Sequence, residues 1–258
     1  MSIACIIPAR YASSRFPGKP LANIAGSPMV EWVYRRAMQV STFNTVIVAT
    51  DDDRIMNTVT NFGGLALLTP DNLPSGTDRV AFIARDLDAD VVVNLQGDEP
   101  LIDPGVLVSL CEVFDDPVVQ MATPISKITT VDELTEPNKA RVVIDQNFDA
   151  LYFTRAAIPY CRDAQTISDW LRSGTFYKHV GIYAYRNKFL QTLTSLPQGA
   201  LEKIEKLEQL RVLENGYKIR TVLTDYNMHS VDTKEELEQL NKFVRLNDLR
   251  VDTHYAQV

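Results

Sequence analysis

Ile3-Ala4-Cys5-Ile6-Ile7 runs into Pro8-Ala9-Arg10-Tyr11-Ala12-Ser13-Ser14-Arg15-Phe16-Pro17-Gly18-Lys19-Pro20, and the reading of this stretch decides the fold. The apolar run has no polar alternation, which marks a short strand buried on both faces of a parallel sheet. It stops at Pro8, and helical patterning resumes only at Pro28. A strand-to-helix connection of this length is uncommon in a compact domain and is usually retained for binding. It carries Arg10, Arg15 and Lys19, in a chain of formal net charge -7. Spaced cations among Ser, Gly and Pro suit a loop that wraps phosphate, with Arg as a planar fork and Lys as a point charge. A solvated basic spacer is the alternative, but Pro17, Gly18 and Pro20 stiffen a segment that a spacer would leave loose.

Outward from there, the chain alternates strand and helix patterns. Met29, Val33, Ala37 and Val40 recur at helical spacing over 28–40. Thr45 to Thr50 reads as a second buried strand, Arg54 to Phe62 as a helix ended by Gly63-Gly64, and Leu65 to Leu68 as a short third strand. A helix from about Thr77 to Leu87 leads to Val91-Val92-Val93-Asn94-Leu95, the clearest strand of all. That order predicts an α/β, Rossmann-like, mostly parallel sheet with helices on both faces. After Asp115 the pattern changes. Gln120 to Ile125, Ala140 to Ile144, Ala150 to Phe153 and His179 to Tyr185 read as strands of a smaller mixed or antiparallel section. Arg162 to Thr175 reads as an irregular polar excursion or subunit-contact arm. Two helices, Leu201 to Asn215 and Thr233 to Leu246, flank a strand from Lys218 to Leu223. With no repeat, low-complexity tract or linker, a single domain over 1–258 is expected.

The 258 residues allow a sizeable core, and 45% hydrophobic with 23% charged residues is ordinary for a globular protein. The acidic balance argues against a nucleic-acid partner. Cys5, Cys111 and Cys161 are odd in number and lack a CxxC pair, so they read as free thiols in a reducing compartment. Met1 leads straight into a strand with no leader pattern or long apolar span, giving the expectation of a cytoplasmic protein without a membrane partner.

Ligands of open parallel sheets bind beyond the carboxyl ends of the strands. Those ends deliver Ala9 and Arg10, Thr50 and Asp51, and Gln96-Gly97-Asp98. Cations gather at the first and carboxylates at the others, which suits a nucleoside triphosphate with a divalent metal. A GxGxxG fingerprint and a Walker P-loop are both absent. Asp98, after a Gly97 turn at a strand tip, is a candidate Mg²⁺ ligand, or else part of a solvated acidic turn. Asp232 precedes a capping-box pattern, Thr233 with Glu236, and by itself reads as helix-start chemistry. Ser75-Gly76-Thr77 is either a helix cap or a set of N–H groups facing a nucleotide. Glu208, one turn from Ile204 and Val212, puts a carboxylate on an apolar stripe. It is then partnered, ligand-binding or snorkelling to the rim. His179 is a lone His with no zinc-type spacing around it.

Together these segments resemble the CMP-Kdo synthetases, the 3-deoxy-manno-octulosonate cytidylyltransferases of the sugar nucleotidyltransferase superfamily. The likeness rests on Ile7-Pro8-Ala9-Arg10 through Lys19-Pro20-Leu21, Ala49-Thr50-Asp51, Ser75 to Arg79 and Gln96 to Pro100. It continues in Tyr152 to Arg155, His179 to Tyr183, Glu205 to Arg211 and Val231-Asp232-Thr233. The resemblance implies transfer of CMP from CTP to Kdo for lipopolysaccharide synthesis, a homodimer, and Mg²⁺ on Asp98 and Asp232. Arg10, Arg15 and Lys19 would hold the triphosphate, and with Asp98 would be the catalytic set. Ala9, Arg10, Ser75, Gly76 and Gln96 would hold the nucleotide, and Arg155, His179, Tyr183, Glu208 and Gln209 the acidic sugar. Residues of about 115–185 would form the sugar side and a candidate dimer contact. An 8-amino-3,8-dideoxy form of Kdo or another acidic sugar is the alternative substrate, and a non-catalytic nucleotide-binding module the alternative of another class.

Overall fold

The computed structural model describes residues 1–12 and 16–251, which divide into two compact units, 1–111 with 228–251 and 112–227. No Gly- or Pro-rich linker marks either junction, although the first falls three residues before the change of pattern at Asp115. In the first unit, β1 (Ile3–Ala9) leads through a 3-10 turn at Lys19–Leu21 into a small hairpin, β2 (Asn23–Ile24) and β3 (Ser27–Pro28). Then follow α1 (Met29–Ala37), β4 (Thr45–Thr50), α2 (Asp53–Asn61), β5 (Ala66–Leu68), α3 (Gly76–Ala84), β6 (Val91–Asn94) and α4 (Pro104–Glu112). The long connection after β1 thus has structure of its own.

β1 pairs in parallel with β4 on one side and β6 on the other, and β5 adds in parallel to β4. This is the parallel arrangement that the unalternating apolar runs imply, since Val46 to Ala49 and Val91 to Val93 are buried throughout. Beside it, Phe16, Ile24, Met29, Trp32, Leu101 and Val231 form one apolar cluster. Trp32 donates its indole N–H to Ile24 O at 2.9 Å, so the buried ring leaves no unpaired donor.

In the second unit come β7 (Met121–Lys127), α5 (Val131–Thr135), β8 (Arg141–Ile144), β9 (Ala150–Thr154), α6 (Ile167–Ser173), β10 (Tyr177–His179) and β11 (Tyr183–Arg186). They are followed by α7 (Asn187–Ser195), α8 (Ala200–Glu205), α9 (Leu210–Glu214) and β12 (Arg220–Thr224). The chain then returns to the first unit with α10 (Lys234–Leu246). Here β7 pairs antiparallel with β10 and β11 and parallel with β12, while β8 joins β10 to β9 in antiparallel fashion. The expected mixed section is this unit.

Three expectations are corrected. Residues 162–175 are not wholly irregular: α6 lies within them, with Thr166 and Asp169 forming a capping box and Trp170 buried beside Phe176. The run from His179 to Tyr185 is not one strand. Five residue steps from His179 to Ala184 oppose only three on β7, from Ile125 to Ala122, and Val180-Gly181-Ile182 bulges out of the ladder. The helix read from Leu201 to Asn215 is two helices. Lys206 takes left-handed geometry, φ 55 and ψ 43, with its N–H on Glu202 O. The apolar stripe assigned to Glu208 therefore does not exist, and Ile204 is 77% exposed.

The two short helices are clasped by charge. Arg211 makes a two-pronged ion pair with Glu202, Nε to Oε2 at 2.8 Å and Nη2 to Oε1 at 2.6 Å, with both residues buried. Glu214 accepts from the N–H groups of Leu201 and Glu202 at the positive end of α8. Removing one partner of a buried pair leaves an uncompensated charge. Glu202→Ala is expected to cost about 3–5 kcal/mol in urea unfolding, and a loss below the range of a surface pair would show that the clasp contributes little.

Candidate functional site

At the carboxyl ends of β1 and β6 a cavity of about 470 Å³ opens in the first unit, lined in part by Ala9, Arg10, Lys19, Gly76, Gln96 and Asp98. Gly97 lets the two strand ends approach, because a Cβ there would lie 3.0 Å from Pro8 O. Gly18, at φ +72, turns the loop back so that its N–H meets Tyr11 O at 2.9 Å. That turn starts the 3-10 segment and aims Lys19 at the cavity floor. Arg15 lies outside the described residues.

Lys19 Nζ donates to Asp98 Oδ2 at 2.8 Å and to Asp232 Oδ1 at 3.1 Å. Val231 N donates to Asp98 O at 3.0 Å, which brings Asp232 beside Asp98. Burial would lower the Lys19 pKa, but the two carboxylates outweigh it and the net shift is upward, so the ammonium is fully charged at neutral pH. The helix-start reading of Asp232 holds, and its carboxylate also meets Lys19. The capping box exists, with Thr233 and Glu236 bonded reciprocally, while the Asp232 carboxylate faces Lys19.

Two carboxylates meeting one positive charge fit a hard cation, which takes one or two protein carboxylates and completes its shell with phosphate oxygens and water. Among the described residues no group of three or more His, Cys, Asp or Glu side chains converges, so the protein offers this pair and not a closed cage.

Around the cavity, Ser75 caps α3: its Oγ accepts from Asp78 N at 3.1 Å and donates to Asp78 Oδ2 at 2.7 Å. Its hydroxyl is thus used within its own helix start, as the capping alternative foresaw. Gln96 donates Nε2 to Asn94 Oδ1 at 3.0 Å, and its Oε1 lies 4.0 Å from where a Cβ on Gly76 would sit. Arg79, wholly buried, donates to Asp51 Oδ2 at 2.7 Å and to the Thr69 hydroxyl. It ties α3 to the end of β4, a role for which the sequence offers no signal beyond the Thr77-Asp78-Arg79 segment.

The residues expected to meet a sugar all belong to the second unit. Gln209 is 3% exposed, its Oε1 accepts from the Tyr183 hydroxyl at 3.1 Å, and its Nε2 has no hydrogen-bond partner among the described residues. Burial, then the nearby Glu208 charge, raises the Tyr183 pKa, so the phenol remains a donor. His179 packs edge-on to Phe153 at 5.2 Å and against Tyr183 at 5.3 Å between ring centres, and Nε2 lies 2.9 Å from Thr123 Oγ1. Arg155 is more committed than expected. Nε donates to Glu205 O at 2.9 Å and Nη1 to Asn138 O at 2.9 Å and Pro137 O at 3.3 Å. Sequence reading assigned no role to Glu205, although its carboxylate holds Thr154 Oγ1 at 2.5 Å and Arg155 N at 3.0 Å.

Burial pushes the His179 pKa from 6.5 down to about 3, so the imidazole is neutral at physiological pH. Between those values the unfolded chain binds the proton that the folded chain refuses, so stability falls as pH drops through this window. His179→Gln is expected to flatten the acid limb of the stability profile, by up to about 1.4 kcal/mol per pH unit. Identical limbs in urea titrations of the two proteins would show that His179 titrates normally.

Comparison with known proteins follows the same lines. A family model described as cytidylyltransferase matches residues 4–219. The chain is 48% identical over 242 residues to a 3-deoxy-manno-octulosonate cytidylyltransferase of Syntrophus aciditrophicus, covering 92% of this chain and 95% of the relative. It is 49% identical over 247 residues to an 8-amino-3,8-dideoxy-manno-octulosonate cytidylyltransferase of Shewanella pealeana, covering 92% and 96%. Its structure is similar to that of a CMP:2-keto-3-deoxy-manno-octonic acid synthetase complexed with CTP, with TM-score 0.90, 42% identity, and 96% and 100% of the two chains covered. With the model spanning most of its length and relatives of this identity along nearly all of it, the chain belongs to the cytidylyltransferase family, in its CMP-Kdo synthetase branch.

Proposed function

We propose that the chain transfers the cytidylyl group of CTP to the anomeric hydroxyl of Kdo, releasing pyrophosphate, as a step toward lipopolysaccharide in the cytoplasm, and that it does so as a homodimer. The observation that carries this reading is the meeting of Lys19 with Asp98 and Asp232 at the floor of a cavity rimmed by Arg10 and Gln96. The sugar oxygen forms a bond to the α-phosphorus, the bond from that phosphorus to the bridging oxygen breaks, and the hydroxyl proton leaves to solvent. Arg10 and Lys19 bind the anionic phosphates and stabilise the departing pyrophosphate. Gln96 Oε1, turned by the Asn94 contact, is an acceptor for the amino group of a cytosine ring. Mg²⁺ held by Asp98 and Asp232 would screen the charge of the triphosphate and of the sugar carboxylate. His179, Tyr183, Glu208 and Gln209 bind sugar hydroxyls, and Arg155 is the cation for the sugar carboxylate.

A second reading, transfer to an 8-amino-3,8-dideoxy sugar, is favoured by the 49% identical relative of that name. Pyrophosphate release measured with CTP and each sugar, with UTP and ATP as controls, separates the two. Turnover with neither sugar, while CTP still binds, would favour a non-catalytic nucleotide-binding module.

Asp98→Asn keeps size but removes charge, and is expected to lower pyrophosphate release by about a hundredfold or more. Near-normal turnover would remove Asp98 from the mechanism. Gln209→Leu removes a buried donor without a partner, which is costly to keep in a folded protein. The change also takes the acceptor from the buried Tyr183 hydroxyl, so stability in urea is expected to fall by about 1–3 kcal/mol, while KM for the sugar increases about tenfold. A destabilised variant with unchanged KM would show that Gln209 serves packing only.

A further inference from the structure

Thr123, on β7, is wholly buried and belongs to no motif of the sequence, yet its hydroxyl oxygen stands at the centre of the break between β10 and β11. It lies 2.7 Å from Ile182 O, 3.2 Å from Val180 O and 2.9 Å from His179 Nε2. A hydroxyl has one proton to give. Both carbonyl oxygens can only accept, so at these distances the proton must point at them, chiefly at Ile182 O. The oxygen therefore presents a lone pair to His179, and only a protonated Nε2 can meet it without lone pair facing lone pair. A neutral imidazole with its proton on Nε2 has an unprotonated Nδ1, and Nδ1 has no hydrogen-bond partner among the described residues.

We propose that Thr123 is a positioning residue that locks His179 as the Nε2–H tautomer, so that Nδ1 faces the sugar as an obligate hydrogen-bond acceptor. The proposal rests on the sugar-binding reading above for its second half, and on this geometry alone for its first. The subsite then has fixed polarity, with His179 Nδ1 accepting from a sugar hydroxyl and Gln209 Nε2 donating to a sugar oxygen. The same hydroxyl that ties down the broken strand thereby selects the proton state of the ligand-binding ring. A ring free to change tautomer would present a donor part of the time, and a hydroxyl ligand would have to reorganise it on binding.

Long-range proton–nitrogen NMR correlations of the histidine ring in the full-length protein at pH 7, without ligands, test the first half directly. The pattern of an Nε2–H ring is expected for His179, and the pattern of an Nδ1–H ring or of a charged ring would overturn the proposal. Thr123→Val should then give mixed tautomers and raise KM for the sugar about tenfold with KM for CTP unchanged. Thr123→Ser, which keeps the hydroxyl, should restore both. Loss of CTP and sugar kinetics together in Thr123→Val, without rescue by Ser, would mark Thr123 as merely structural. If the ring shows the expected tautomer but no acidic sugar is turned over, the sugar reading fails while the tautomer assignment stands.

Discussion

One ammonium group held between two carboxylates sets the terms for the first unit. Lys19 reaches across 79 residues of sequence to Asp98 and across 213 to Asp232. Two carboxylates brought this close would repel each other without a cation between them. The Lys19 side chain is 15% exposed and those of Asp98 and Asp232 27% and 37%, so water screens these pairs only in part. Much of the local backbone serves it. Gly97 permits the close approach of β6 to Pro8, Gly18 reverses the loop, and the Val231 to Asp98 hydrogen bond delivers the segment before α10. The arrangement gathers two carboxylates, one ammonium and Arg10 at one cavity, the charges on which the proposed binding of a metal and a triphosphate rests.

The second unit builds its polar groups by a different route, through interruptions of regular structure. A bulge separates β10 from β11, and a left-handed residue separates α8 from α9. Each interruption presents side chains that an unbroken element would have packed away or spread along one face. His179 and Tyr183 flank the first, Glu208 and Gln209 follow the second, and the Tyr183 hydroxyl joins the two. Irregular backbone needs compensation for its polar groups. Thr123 supplies it at the bulge, and the Glu202, Arg211 and Glu214 charges supply it at the helix pair.

The two units differ in how far their sequences announce them. In the first, strands buried on both faces read as uninterrupted apolar runs, and their ends mark ligand positions by a rule of sheet geometry. Arg10, Lys19, Gln96 and Asp98 were therefore legible from pattern alone, and the structure brings them to one cavity. In the second, the alternation of Val180, Ile182 and Ala184 is real, and all three are buried, but it hides a change of register. Likewise Leu201 to Asn215 contains no Gly or Pro to signal a stop until Gly216. Lys206 enters left-handed geometry because the Glu202–Arg211 pair and the Glu214 cap hold the helices folded back, and those are tertiary contacts.

The sequence by itself determined the parallel sheet, the capping box at Thr233 and the acidic and basic residues at the strand tips, because each depends on neighbours within a few positions or on burial of a whole run. Only the tertiary structure decided that the carboxylate of Asp232 turns to Lys19 while its backbone starts a helix, that Arg155 spends most of its donors on main-chain carbonyls, and that Thr123 stands against His179. Those outcomes are set by where distant segments meet. A hydroxyl or a carboxylate has the same local propensities whichever partner it finds, so nothing in its immediate sequence can name that partner.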